Sequence, residues 1–275
     1  MTRGKHLQHA LMGITAAVLV GAHVMPGHAE PGPVMAATVS FVRGDSTPGV
    51  MTAVRAARSL SAETEAALAA LASEVRTTSH PRALEDAFRG YFAYRAAHPE
   101  AGDNPYLYFV DYGLPSSTPR GYVFDMKQLA VVDGPFTVAH GRGSAASPDG
   151  VPQRVSNRTG SAATSLGLFV AQELYAFRGK SAGQSYRSVG LRLKGVSGAW
   201  NDNARARGVV AHGAPYVTPA KAGRSEGCPA VEPGRAERLL PKLANGGMVF
   251  LFAPDADWMA RDPWIAAAAG EALAG

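Results

Sequence analysis

The amino-acid sequence predicts a mainly β domain, a sandwich or barrel of short strands, with an N-terminal helical hairpin before it and one helix after its only cysteine. Three observations carry that expectation. Gly (31) and Pro (19) are plentiful, and both divide a chain into short elements. Short apolar or alternating stretches, rich in Val, Phe and Tyr, recur between those breaks. Helical periodicity is confined to two early segments and one late one. With 46% hydrophobic and 18% charged residues, the chain has the composition of a packed protein and not of a disordered one.

The N-terminal 29 residues have the layout of a secretory signal peptide. Arg3, Lys5 and His6 form a basic start, an apolar run extends from Ala10 through Val20 to Met25, and Gly27 and Ala29 are the small residues a peptidase reads. The run is short for a membrane span. The expectation is an exported protein of the periplasm or cell envelope with no stable membrane span once the signal is removed; a retained anchor is the alternative.

Residues 30–60, rich in Pro, Gly and small side chains, suggest a linker. Residues 61–100 suggest the helical hairpin: Ser61-Ala62-Glu63-Thr64-Glu65 has a capping flavour before an Ala/Leu-rich run to Val75. A second helix begins near Pro81, with Leu84, Phe88, Tyr91, Phe92 and Arg95 at helical spacing, and stops at Pro99. Strands are expected within residues 101–255. They cover Tyr106–Val110 (closed by Gly113 and Pro115), Gly121–Val132, Phe136–Ala139, Leu166–Val170, Ser188–Leu193, Gly208–Ala211 and Met248–Phe252. Pro233–Leu243 predicts a helix, with Gly246-Gly247 beyond its end. Residues 256–275 are left as a tail.

The formal charge is +5, near +3 once Arg3 and Lys5 are removed with the signal. That is mildly favourable toward anionic polymers. No Lys/Arg run marks a nucleic-acid groove. A single cysteine, Cys228, excludes an internal disulfide and a cysteine-rich zinc site.

The chemistry concentrates in Val209-Val210-Ala211-His212-Gly213-Ala214 and Gly223-Arg224-Ser225-Glu226-Gly227-Cys228-Pro229-Ala230. A cysteine nucleophile needs a base, a group that orients the base, and N–H donors where an oxyanion forms. His212 can be the base and the Gly213 carbonyl its orienting partner. The N–H groups of Gly227 and Cys228 can face the oxyanion. A lone cysteine is more often a small buried hydrophobe. Two features favour the reactive reading: an unpaired thiol in an exported protein, and a polar, Gly-rich loop around it.

His212-Gly213-Ala214, Arg224-Ser225 and Gly227-Cys228-Pro229-Ala230 together resemble the active-site signature of the L,D-transpeptidase catalytic domain family (YkuD-like), in its Gly-Cys-Pro-Ala branch. Asp111-Tyr112, Pro115-Ser116, His140-Gly141-Arg142-Gly143-Ser144, Ser156-Asn157, Ser165-Leu166-Gly167 and Asn203-Ala204 before Arg207 extend the resemblance over residues 104 to 254. It implies a mostly β domain, a Cys/His/backbone-carbonyl triad and acyl transfer on peptidoglycan stem peptides without cofactor or metal. Ala230 and Glu226 depart from the commoner pattern, which has Asn and an aromatic or His at those places.

Arg224, Ser225, His140, Tyr216 and Ser144 are further candidates for substrate binding. A zinc site from His140, His212 and Cys228 has no ligand spacing in its favour. Two other readings remain: a sortase-like transpeptidase using Arg235 or Arg238, and a non-catalytic wall-binding module. Oligomeric state has no signature in the sequence.

Overall fold

The computed structural model describes residues 48–267, so the expected signal peptide lies outside the described residues. Helix α1 (Pro48–Leu71) starts upstream of Ser61, within the stretch read as linker. Pro48 suits the first helical position, and no Gly or Pro follows Gly49 to stop propagation. Helix α2 (Ala83–Ala97) turns Leu84, Phe88 and Tyr91 inward.

The strands are β1 (Tyr106–Asp111), β2 (Gly121–Asp125), β3 (Ala130–Phe136), β4 (His140–Gly141), β5 (Gly167–Ser181), β6 (Gln184–Gly195), β7 (Val210–Gly213), β8 (Val217–Thr218), β9 (Lys221–Ala222), β10 (Arg224–Ser225), β11 (Ala230–Val231) and β12 (Met248–Phe252). Helix α3 (Pro233–Leu243) follows β11, as expected after the cysteine. Helices α4 (Ala256–Arg261) and α5 (Pro263–Ala267) occupy part of the expected tail. The Asp255 side chain caps α4 by accepting the Trp258 N–H.

The β-rich expectation takes the form of one mixed eight-stranded sheet, ordered β11-β7-β6-β5-β12-β1-β2-β3. β1 and β12 run parallel at its centre, and β11 and β7 run parallel at one edge. Ribbons β4/β10 and β8/β9 lie outside it. The central strands read as continuous apolar runs because both faces are covered: β12 is buried throughout. Phe88 of α2 meets Phe124 edge-on at 5.4 Å, and Trp258 of α4 packs against Phe250 and Phe252. Leu239, Leu240 and Leu243 bring α3 onto the same core.

The β5–β6 hairpin is far longer than the two short strands expected there. Its outer half alternates exposed polar with half-buried aromatic residues, so its apolar content is too thin to resemble a strand pair.

Phe250 is fully buried between α2 and α4. Phe250→Ala should cost about 3–5 kcal/mol, measured by denaturant unfolding with the slope unchanged.

Candidate active site

The last residues of β7 and the two residues of β11 run side by side, with Ala230 opposite His212 and Val231 opposite Gly213. Cys228 lies two residues ahead of Ala230, so the parallel register carries it beside Val210, at the start of β7. Cys228 is half-buried, and its Sγ lies 3.9 Å from the Gly208 carbonyl.

His212 is 3% exposed. Its Nδ1 is 3.0 Å from the Gly213 carbonyl oxygen. A carbonyl only accepts, so Nδ1 carries the proton and the neutral ring presents its lone pair at Nε2. Phe177 of β5 stacks on the ring, with centroids 4.0 Å apart and planes within 16°. Burial drives the His212 pKa down to about 4, against a smaller upward pull from Gly213. Burial likewise pushes the Cys228 thiol up, opposed by the Val210 N–H and Arg207 and reinforced by Glu226. At neutral pH the site therefore holds a neutral thiol and a neutral imidazole.

The loop before the thiol is tightly tied. Ser225 Oγ donates to the Cys228 carbonyl at 2.7 Å and accepts the Gly227 N–H at 3.1 Å. Gly227 has φ +120°, and a Cβ there would stand 2.8 Å from the Ala163 carbonyl oxygen, so only glycine fits. The expectation that the Gly227 N–H faces an oxyanion is corrected: Ser225 already engages it. The Cys228 N–H has no hydrogen-bond partner among the described residues.

Other candidates are bound up in structure. Ser144 Oγ is buried and accepts the Thr164 N–H at 2.9 Å. Arg224 donates through Nη1 to the Ala145 and Ala146 carbonyls, at 3.3 and 3.1 Å, and so braces that loop. His140 is fully buried, and Arg120 Nη2 lies 3.0 Å from its Nδ1. Burial, Arg120 and Arg224 hold His140 down to about 4. Tyr216 is half-buried, hydrogen-bonded to Tyr186, and within electrostatic reach of Cys228. Arg235 pairs with Asp133, and Arg238 bonds the Gly234 carbonyl of its own helix. Among the described residues no His/Cys/Asp/Glu group is arranged to hold a metal.

The sequence reading quoted Arg207 without giving it a role at the site, and it missed Phe177 and the tyrosines beside Tyr216. Arg207 Nη1 donates to the Ser156 carbonyl at 2.8 Å, and Nη2 donates to that of Ala163 at 2.7 Å. Its charge favours the thiolate. Tyr112, Tyr175 and Tyr186 all feel the charge on Cys228. Glu226 pairs with Arg142 at 2.7 Å on the exposed rim.

A family model described as "L,D-transpeptidase catalytic domain" matches residues 76–252. Among solved structures, an L,D-transpeptidase from Mycobacterium smegmatis is similar at 17% identity and a TM-score of 0.27. The match covers 54% of this chain and 59% of that one. No curated protein matches.

Two histidine ring signals, those of His140 and His212, should titrate near pH 4 in an NMR pH series, because burial penalises each cation. A midpoint near 6.5 for His212 would contradict the closed setting described for it.

Proposed function

This chain belongs to the L,D-transpeptidase catalytic domain family, and we propose that it is a cysteine-dependent L,D-transpeptidase acting on peptidoglycan stem peptides in the cell envelope. In this reading residues 1–29 export the chain, a linker precedes the helical pair α1 and α2, residues 101–255 carry the chemistry and the short helices α4 and α5 follow them. What supports it is the β7–β11 ladder, which sets the segment that follows Cys228 beside the strand that carries His212, together with a buried, neutral imidazole whose Nδ1–H is held by a backbone carbonyl.

The thiol of Cys228 attacks a stem-peptide carbonyl while His212 Nε2 takes the thiol proton. The tetrahedral oxyanion accepts the free Cys228 N–H, where one such donor is worth roughly 100–1000-fold in rate. His212 returns the proton to the departing amine, leaving a thioester. A second stem's amine then attacks, with His212 as base again, and the thiol is released. Water in its place gives hydrolysis. Tyr175, Tyr186 and Tyr216 form an aromatic wall beside the thiol and Arg207 stabilises it as it ionises.

The sortase-like alternative loses its arginine, because Arg235 and Arg238 are engaged on the helix side. Incubation with a carbapenem or a tetrapeptide donor should give wild type one covalent adduct by mass spectrometry and Cys228→Ala none. The same adduct on Cys228→Ala would overturn the mechanism and leave the wall-binding reading.

Because a base must be unprotonated, the acid limb of kcat/KM should fall near pH 4, where His212 protonates, with rate lost below it. Phe177→Ala should uncover the ring, relieve its desolvation and move that limb upward toward 6.5. An unmoved limb in that variant would separate Phe177 from the base.

A further inference from the structure

The β5–β6 hairpin leaves the sheet as a two-stranded arm. β5 is bonded to β12 only over Gly167–Val170, and β6 to β7 only over Gly190–Arg192. From Tyr175 to Ser188 the two strands pair only with each other, up to a turn at Ala182 (φ 49°) and Gly183 (φ 80°). An isolated two-stranded ribbon is marginal, so charge placement on it is consequential.

The arm's charge is one-sided. At its root Glu173 pairs with Arg192 and Arg205, at 3.0 and 3.1 Å. Beyond the root no acidic residue occurs between Leu174 and Arg187, while Arg178, Lys180 and Arg187 do. Arg178 stands directly opposite Arg187, and Lys180 lies two residues along the same face, opposite Ser185. All three are exposed and enter no ion pair among the described residues. Like charges set opposite across strands destabilise the pairing. The other face of the same arm carries Phe177 on His212 and Tyr186 against Tyr216. A cleft of about 490 Å³ is lined by Arg178, Gly179, Lys180, Ser185, Tyr186 and Arg187.

We propose that this cationic arm is a second peptidoglycan subsite, which takes the carboxylates of a stem peptide adjoining the one at Cys228. The assignment rests on the transpeptidase reading above for its ligand, and on the arm alone for its location. Charge complementarity and the shared cleft carry it: anions held there relieve the repulsion between the two guanidinium groups, and Tyr186, which lines the cleft with them, is hydrogen-bonded to Tyr216 and feels the charge of Cys228.

The test uses full-length Cys228→Ala protein, so that binding is scored without any acyl transfer. Co-sedimentation with purified sacculi should weaken roughly five- to tenfold in Arg178→Gln/Arg187→Gln. It should survive in Arg178→Lys/Arg187→Lys, and fall as salt rises past 0.15 M, where screening acts within about 8 Å. Sacculi whose carboxylates are converted to amides should bind both proteins equally poorly. Full binding by the Gln variant, undiminished binding to amidated sacculi, or equal Arg-dependent binding to phosphatidylglycerol vesicles would each overturn the proposal. The Gln variant should unfold no earlier than its parent, since it removes a like-charge pair. Adduct formation on the wild-type thiol is scored separately, so failure of the catalytic reading and failure of the arm are told apart.

Discussion

The parallel ladder between β7 and β11 is only two residues long, yet the whole site depends on it. Its register sets Cys228 beside Val210, at the start of β7. Backbone bonds flank it on both sides: Ala214 N–H donates to the Val231 carbonyl and Ala139 N–H to that of Ala230, each at 2.8 Å. Close approach is also required. A Cβ on Gly213 would meet Ser188 Oγ at 2.3 Å and Pro233 Cα at 2.9 Å. The glycine that lends its carbonyl to His212 is thus the residue that lets α3 and β6 close around the ladder, so orientation of the base and packing of the strand share one cause.

The enclosure that fixes geometry also sets the electrostatics. Desolvation raises the thiol and lowers the imidazole together, so a standing thiolate–imidazolium pair is disfavoured at rest. In the proposed mechanism proton transfer is then coupled to attack on the carbonyl, when charge moves onto a substrate oxygen that the Cys228 N–H can meet. Arg207 and the Val210 N–H temper the cost of ionising sulfur, and Glu226 acts against them. Because Glu226 is paired with Arg142 on the rim, its field at the thiol is tempered by a neighbouring cation.

The parts of this design that were legible in sequence are local ones. β1, β12 and α3 stand out as apolar runs or amphipathic turns, and His212 and Cys228 sit in short motifs whose glycines have a backbone meaning. The parts that were not legible have partners remote in the chain. Ser144 is claimed by Thr164, Arg224 by Ala145 and Ala146, and Arg207 by Ser156 and Ala163. A polar residue in a turn carries no mark of which distant carbonyl it satisfies. The arm was missed for another reason: only one of its faces packs, so its hydrophobic signal is halved while its charges break the pattern.

The site contains two buried histidines, and hydrogen-bond polarity decides which can accept a proton. At His140 the neighbour is Arg120, which has only hydrogens to offer. Nδ1 must therefore be the acceptor, and Nε2 bears the hydrogen and has no partner among the described residues. Arg120 is fully buried over the Tyr112 ring at 4.7 Å, with Nη2 2.8 Å from the Val138 carbonyl, and burial lowers it only to about 10. It stays charged, and a second charge on His140 is opposed. At His212 the neighbour is a carbonyl, which inverts the ring's polarity and leaves Nε2 as the open lone pair. Similar rings in similarly dry surroundings thus take opposite tautomers. His140 can brace the β4 loop or donate, and of the two rings His212 is the one whose polarity suits the base of the proposed mechanism.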